Sequence, residues 1–258
     1  MTHYQVTVAP NGARRQKSDH PELPVTPQEL AITAGLCQAA GASALHLHVR
    51  DDAGGHSLDA GRYRVAMTAV REGAPGMGIQ ITTESAGIYQ PEAQLACLEA
   101  LRPEAASVAV REMARAPEIA ARAYALSAEA GTQVQHILYS PSCIAQLNAW
   151  YAAGIVPEHK RDVIFVLGKY EPATPADPGG LAPFAAAARK LDLNWSLCAF
   201  GRAERACLLA AIEAGGNVRI GFENNLETPE GALLKDNAAS VAGLVKAAFQ
   251  AGHVLKRN

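Results

Sequence analysis

Residues 24–51 read PVTPQELAITAGLCQAAGASALHLHVRD and contain the unit on which the fold is built. Thr26 and Pro27 place a capping hydroxyl before a proline at the first helical position, and Glu29 lies in the first turn. This pattern predicts a helix over 27–39. The β-rich run over 44–49 predicts a strand directly after it. The unit is therefore a helix followed by a strand.

The same alternation continues along the whole chain. It predicts strands over 4–9, 44–49, 78–82, 106–110, 133–138, 163–167, 193–198 and 217–222, with helices that include 27–39, 91–100, 117–130, 202–214 and 231–251. Alternating strands and helices imply parallel strands, and eight units favour a closed barrel over an open sheet. The length of 258 residues also matches the roughly 250 of such barrels. The sequence predicts an α/β protein, a (β/α)₈ TIM barrel with a single domain over 1–258.

Two segments add detail to this prediction. Thr228 and Pro229 repeat the helix-start signal before the last helix. The proline-rich residues 170–180 follow the sixth strand and predict a long loop. Such loops lie at the C-terminal face of a barrel, where active sites are built.

Composition limits the classes of partner. A formal net charge of -2 gives no broad cationic field, which argues against nucleic acid or an anionic membrane as partner. Five scattered cysteines without a CxxC spacing indicate free thiols in a reducing compartment rather than a disulfide framework. Residues 1–17 lack the apolar run of a signal peptide, and no run is long enough to span a membrane. We expect a cytoplasmic protein.

The strongest chemical signal is Leu45-His46-Leu47-His48-Val49. Side chains alternate faces along a strand, so His46 and His48 point the same way, about 7 Å apart along the backbone. Two imidazoles at the C-terminal end of a barrel strand suit a divalent metal. The alternative is a pair of core or surface histidines without a metal. This alternative is less favoured, because buried ring nitrogens need hydrogen-bond partners.

A third ligand is expected from another strand end. Glu223 ends the eighth predicted strand, and two histidines with one glutamate and an open position form a catalytic rather than structural zinc arrangement. The alternative is that Glu223 caps the turn or pairs with a nearby arginine. Sequence spacing leaves both open.

These motifs resemble the β-keto acid cleavage enzymes, whose founding activity is cleavage of 3-keto-5-aminohexanoate in lysine fermentation. The resemblance runs from about Val6 to about Val245. It is carried by the residues of 24–29, Gly41-Ala42, 46–51 with Gly54-Gly55, 215–225, and Asp236-Asn237. It implies a zinc-binding (β/α)₈ barrel, assembled as a homo-oligomer (dimer or tetramer). The implied reaction converts a β-keto acid and acetyl-CoA into acetoacetate and a new acyl-CoA.

The resemblance also implies residue roles. His46, His48 and Glu223 would bind Zn²⁺, which would polarise the ketone and stabilise an enolate. Arg219 matches an active-site arginine, and Thr82 matches a hydroxyl residue that contacts substrate. We add Thr83 and Ser107 as substrate-binding candidates, although turn capping is an equal alternative for Thr83.

Three positions depart from the family pattern. Asn224 stands where the founding enzyme has an aspartate that works with the arginine as general base, and an amide cannot take that proton. Asn224 therefore stands at a catalytic position of the family but cannot be the general base. Glu84 and Asp51 are the candidate carboxylates for that role. Arg14 and, in a looser alignment, His136 stand where the founding enzyme has carboxylates that bind the substrate ammonium. The charge change predicts a keto acid with a neutral or acidic side chain.

Other residues give weaker signals. Arg111-Glu112 and Lys169-Tyr170-Glu171 follow strands and are candidates for substrate or CoA contact, or for surface ion pairs. The other histidines, including His20 and His56, are expected on the surface. Two alternative functions remain: a TIM-barrel zinc hydrolase with His136 as a further ligand, and a non-catalytic metal- or acyl-CoA-binding protein that has lost its base.

Overall fold

The computed structural model describes residues 1–170 and 173–256. Its centre is a closed barrel of eight parallel strands, arranged around the barrel in chain order. The strands are β1 (Val6–Val8), β2 (Ala44–Leu47), β3 (Gly78–Thr82), β4 (Ala105–Ala109), β5 (Gln133–Leu138), β6 (Asp162–Leu167), β7 (Asn194–Ala199) and β8 (Asn217–Ile220). All eight predicted strands are present, and the predicted (β/α)₈ barrel is confirmed.

Nine α-helices lie in the described part of the chain. They are α1 (Pro27–Ala40), α2 (Ala60–Gly73), α3 (Pro91–Leu101), α4 (Val110–Met113), α5 (Pro117–Glu129), α6 (Pro141–Ala152), α7 (Leu181–Lys190), α8 (Glu204–Glu213) and α9 (Asn237–Gln250). The Thr26 cap predicted at the start of α1 is confirmed, and Glu29 completes a capping box with it. No helix among the described residues is long and apolar enough to cross a membrane.

The last helix begins later than the sequence pattern predicted. The start signal at Thr228 was wrong because the side chain of Asp236 caps α9 by accepting from the Ala239 N–H. The residues before it form an antiparallel bridge between Glu227 and Leu233 instead. Thr228 stabilises that turn, where its hydroxyl accepts from the Ala232 N–H.

Two short pairings lie outside the barrel. His3–Tyr4 pairs in parallel with Val254–Leu255 and joins the two ends of the described chain. Val49–Arg50 pairs antiparallel with His56–Ser57 above β2. The predicted loop over 170–180 contains a bridge from Lys169 to Thr174 and a 3₁₀ turn at Pro178–Gly180, while Glu171 and Pro172 lie outside the described residues.

One apolar cluster fills part of the barrel interior, and polar side chains occupy another part. Strands β4 to β7 contribute a buried cluster of Ala109, Ile137, Ile164, Val166 and Cys198. Strands β2, β3 and β8 contribute polar side chains instead, among them His46, Gln80 and Arg219, which contact one another or neighbouring polar groups. The main hydrophobic core lies between the strands and the surrounding helices.

Candidate metal and substrate site

His46 on β2 and His48, directly after it, converge inside the barrel. The Nε2 atoms of His46 and His48 are 3.2 Å apart, and the residues are 1% and 0% exposed. Burial, together with the Arg219 charge, lowers the pKa of His46 to about 3. A neutral imidazole at physiological pH is the form that binds a metal.

Glu223 brings a carboxylate to the same point from the turn after β8. Its Oε2 lies 3.7 Å from Nε2 of His46 and 3.5 Å from Nε2 of His48. Two glycines make this placement possible. Gly221 has φ +142° and a Cβ there would strike the Ala9 carbonyl, while a Cβ on Gly12 (φ +62°) would lie 2.6 Å from Cγ of Glu223. Only glycine fits at both positions.

These three residues fit a divalent metal ion. They form a buried group whose ligand atoms all lie within 4.8 Å of one another. Burial alone would raise the pKa of Glu223, but Arg219 and the two imidazoles hold it below its usual range. Its Oε2 has no hydrogen-bond partner among the described residues, although it is fully buried. A buried, charged oxygen aimed at two imidazole nitrogens is explained by a cation between them.

Gln80 orients His46 from the floor of the barrel. Its Oε1 is 2.7 Å from Nδ1 of His46, so an N–H at Nδ1 leaves Nε2 free for a metal. Gln80 in turn donates to Oε1 of Gln135 at 3.2 Å, and Gln135 donates to Oγ of Ser196 at 3.4 Å. The sequence pattern did not predict this series of hydrogen bonds. The signal available was the inward position of Gln80, two residues before Thr82 on the strand beside β2.

We expect Gln80→Leu to weaken metal binding by about 10- to 100-fold, because His46 loses the acceptor that fixes its tautomer and ring orientation. Gln80→Glu keeps an oxygen at that position and should retain affinity within about threefold of the original protein. Competition with a metal chelator measures both. Equal affinity in Gln80→Leu and in the unmodified protein would contradict this role.

Arg219 lies beside the carboxylate ligand. Its Nη2 donates to Oε1 of Glu223 at 3.0 Å and to Sγ of Cys198 at 3.4 Å. Its Nε and Nη1 have no partner among the described residues, and the side chain is almost completely buried. Burial opposes the charge, but Cys198 and Glu223 together raise the pKa of Arg219 above its usual value. The guanidinium keeps unused donors for a carboxylate or oxyanion.

Of the two carboxylates considered as the general base, Glu84 lies near the candidate metal ligands. Its Oε2 lies 3.9 Å from Nε2 of His48, and burial raises the pKa of the side chain. Asp51, the other candidate, is exposed, and its carboxylate accepts the Ala53 and Gly55 N–H groups of a turn. The structure therefore removes Asp51 from consideration as the base.

A small cavity connects these groups at the C-terminal end of the barrel. Its volume is about 110 Å³. Cavities for drug-sized ligands run from about 300 Å³ upward, so this one suits a small acid. Its lining residues are Arg14, Glu84, Arg111, Tyr139, Val166, Lys169, Tyr170, Phe200, Arg219 and Glu223. Arg14 thus lies at the cavity, and its contact with substrate stays a prediction.

The predicted hydroxyl residues occupy different environments. Thr82 and Ser107 are buried on neighbouring strands with their hydroxyl oxygens 3.5 Å apart, and Thr82 Oγ1 accepts from the Glu84 N–H. Thr82 thereby orients the backbone of Glu84. Thr83 donates to the Ser107 carbonyl at 2.9 Å, a bond to the neighbouring strand rather than the turn cap weighed as its alternative.

His136 lies on the other side of its strand, away from the cavity. It is fully buried, with Nδ1 3.1 Å from the Tyr124 hydroxyl and Nε2 3.1 Å from the Lys160 carbonyl. Both ring nitrogens already have partners. His136 therefore neither lines the substrate cavity nor reaches the metal ligands, which also removes the extra ligand that the hydrolase interpretation required.

Asn224 is buried directly after the glutamate ligand. Neither Oδ1 nor Nδ2 of its side chain has a hydrogen-bond partner among the described residues. Its backbone closes the turn, where the N–H donates to the Gly221 carbonyl at 2.8 Å and the carbonyl accepts from Gly201. An uncharged amide occupies the position at which the resemblance expects a base.

Two histidines expected on the surface are buried. His56 packs against His48 with ring centroids 5.3 Å apart, and its Nε2 is 2.8 Å from the Glu84 carbonyl. Burial lowers the pKa of His56 to about 3. His20 packs on Phe222, and its Nε2 is 2.7 Å from the Leu234 carbonyl. His56 therefore supports both His48 and Glu84 from the outside of the site.

The barrel and its buried two-histidine, one-glutamate cluster define the class of a (β/α)₈-barrel enzyme with a candidate mononuclear metal centre at its catalytic face. The profile of the beta-keto acid cleavage enzyme family matches residues 4–256. The chain belongs to the β-keto acid cleavage enzyme family.

Known relatives support this membership. The 3-keto-5-aminohexanoate cleavage enzyme of Fusobacterium nucleatum is 29% identical over 96% of this chain and 92% of its own length. The 3-oxoadipate:acetyl-CoA acetyltransferase of Cupriavidus necator is 28% identical over 92% of this chain and 85% of its own. Among solved structures, ObcA with oxaloacetate superposes with a TM-score of 0.73 at 15% identity. That match covers 92% of this chain but 65% of ObcA, and it supports the fold alone.

Proposed function

We propose that this protein is a zinc-dependent enzyme that cleaves a β-keto acid with acetyl-CoA, giving acetoacetate and a new acyl-CoA. The observation that carries the proposal is the convergence of His46, His48 and Glu223. Glu223 lines one small cavity together with Arg219 and Glu84. Two imidazoles and one carboxylate favour zinc over the oxygen-preferring ions. The names of the curated relatives describe cleavage of keto acids or transfer from acetyl-CoA.

The protein groups have separate tasks at this centre. Bound by His46, His48 and Glu223, a zinc ion would supply Lewis-acid polarisation of the keto acid carbonyl. Arg219 holds the substrate carboxylate through its two unpartnered donors. Glu84 takes the proton from C2, between the ketone and the carboxylate, because it is the carboxylate that faces the same cavity without binding an arginine within 4.0 Å among the described residues.

The bond changes balance without a further reactant. The C2 carbanion attacks the thioester carbonyl of acetyl-CoA, and the CoA thiolate leaves. That thiolate attacks the original ketone, and the C2–C3 bond of the keto acid breaks. The C2 enolate released in this step takes back the proton that Glu84 removed. Acetoacetate then leaves with C2 of the substrate as its own C2, while the acyl group stays on CoA. The cavity of about 110 Å³ holds the keto acid and the reacting thioester end only, so the body of CoA lies outside it.

Glu84 can also replace, as general base, the family aspartate whose position is occupied by Asn224. A base must reach the proton that it removes, and Glu84 is placed at the cavity while the Asn224 amide is not basic. Tyr63 supports this strand end by donating to the Thr82 carbonyl at 2.9 Å. We therefore assign the base to Glu84 and leave Asn224 a role in shaping the turn.

The further properties expected from the sequence belong to the same proposal. We infer one catalytic domain over 1–258, a cytoplasmic location and a homo-oligomer (dimer or tetramer). All five cysteines are free and buried, which supports a reducing compartment. Arg14 at the cavity supports a keto acid side chain that is neutral or acidic.

The test is acetoacetate release from a panel of β-keto acids, with and without acetyl-CoA, by enzyme supplied with zinc. We expect turnover that requires acetyl-CoA and favours neutral or acidic side chains. Preference for 3-keto-5-aminohexanoate would overturn the side-chain argument. Bound zinc without turnover of any member would favour the non-catalytic binding protein, and hydrolysis without acetyl-CoA would favour a hydrolase.

A further inference from the structure

The cavity carries more positive than negative side chains. Arg14, Arg111, Lys169 and Arg219 line it, against Glu84 and Glu223. Glu223 pairs with Arg219, and Arg14 lowers the pKa of Glu84 against the larger, opposite effect of burial. Within residues 1–170 and 173–256, Arg111 and Lys169 have no carboxylate within 4.0 Å. Among the described residues, therefore, no carboxylate neutralises these two cations at the cavity.

Arg111 is held in place by an aromatic ring. It lies on α4, the single turn of helix that follows β4, and its Cζ is 3.4 Å from the centroid of the Tyr139 ring. Stacking on a ring fixes the plane of the guanidinium and leaves its edge donors free. Tyr139 itself packs on the buried apolar cluster of strands β4 to β7. The Arg111 guanidinium is therefore held in position without a bound ligand.

Part of the cavity lining is apolar. Val166, Tyr139 and Phe200 contribute it, and Tyr139 and Phe200 pack on the apolar cluster of strands β4 to β7. Arg219 lies on β8, and the candidate metal ligands lie on β2 or directly after β2 and β8. A keto acid whose ketone and carboxylate bind at these residues can therefore place its methylene groups against the apolar lining and its far end near Arg111, which lines the same cavity.

We propose that the preferred substrate is a dicarboxylic β-keto acid whose second carboxylate binds Arg111, with Lys169 adding positive charge to the same cavity. The proposal rests on the proposed function and narrows its substrate class from neutral or acidic to acidic. Arg111 is a specificity-determining residue in this arrangement. Its planar fork matches a carboxylate, which a lysine does not.

A matched pair of substrates tests this subsite. 3-Oxoadipate and 3-oxohexanoate have the same carbon chain and differ in the terminal carboxylate. At saturating acetyl-CoA, we expect kcat/KM to favour 3-oxoadipate by at least about 10-fold. Arg111→Met keeps an unbranched side chain against Tyr139 but removes the charge. It should lower kcat/KM for 3-oxoadipate by about 10- to 100-fold and change that for 3-oxohexanoate by less than about twofold.

Arg115→Met is the matched control. Arg115 is exposed near the end of the same helical turn, donates to the Glu112 carbonyl and does not line the cavity. Its kinetics should match those of the unmodified enzyme on both substrates. Equal losses on the two substrates in Arg111→Met would overturn the proposal. So would a rise in KM for acetyl-CoA of the same size, since the cation would then bind CoA phosphates.

A binding measurement separates this proposal from the reaction itself. If neither keto acid yields acetoacetate, the proposed function has failed. Calorimetry of 3-oxoadipate with the zinc-loaded protein then decides the subsite. Affinity that falls about 10-fold or more in Arg111→Met, but stays level in Arg115→Met, supports the subsite without turnover. Equal affinity in all three proteins, or no binding, overturns it.

Discussion

His46→Ala is expected to remove the metal and to lower acetoacetate formation by about 1,000-fold or more, since the lost Lewis acid supplies several kcal/mol of transition-state stabilisation. The two remaining ligands, His48 and Glu223, cannot enclose an ion, and His48 would keep Glu223 as its neighbour at 3.5 Å. Metal content after dialysis and initial rates with acetyl-CoA measure the two effects. Both should fall together.

His159→Ala provides the control for this change. His159 is exposed and does not belong to the buried metal-ligand group. Metal content and rate should stay at the level of the unmodified protein in this variant. A His46→Ala protein that folds, binds about one ion per chain and turns over at the original rate would disprove the assigned metal site.

The barrel could be predicted because each strand and each neighbouring helix is indicated by residues close together in the sequence. Each strand is a short β-rich run, and each neighbouring helix begins at a proline, a capping side chain or an alanine-rich segment. The start of α9 was misplaced because two capping candidates, Thr228 and Asp236, lie eight residues apart, and the choice depends on how the intervening turn folds. Local signals set the element type better than its boundary.

The convergence of the candidate metal ligands could be predicted for a related reason. His46 and His48 occupy alternate positions on one strand, which places both on one face whatever the exact strand ends are. Strand β5 lacks such a pattern. Gln135 contacts Ser196 across the barrel and His136 faces the helices, and a shift of one residue exchanges these faces. His136 was misplaced for that reason.

The remaining features depend on contacts between distant segments. The carboxylates of Glu84 and Asp51 both follow strands in the sequence, yet only Glu84 turns inward towards His48. The stacking of Arg111 on Tyr139 joins the turn after β4 to the end of β5. No local pattern encodes either contact, because each arises from the closure of the barrel.

Glu84→Gln is the second change with a large expected effect. Loss of a positioned general base should lower kcat by about 100- to 10,000-fold. Burial raises the pKa of Glu84 above its usual value, and the ionised form is the base. Activity of the unmodified enzyme should therefore fall as the pH falls through that pKa, and the residual activity of Glu84→Gln should lack this limb.

Asp51→Asn distinguishes the two carboxylates that the sequence offered as the base. Asparagine keeps an oxygen for the Ala53 and Gly55 N–H groups of the turn, so rate and pH profile should stay within about twofold of the original. Metal content decides the role of Glu84, whose Oε2 lies 3.9 Å from Nε2 of His48. Glu84→Gln protein that keeps its metal and loses its rate identifies a base. Loss of metal and rate together would identify a fourth ligand, and an unchanged rate would return the search for the proton acceptor to the turn at Asn224.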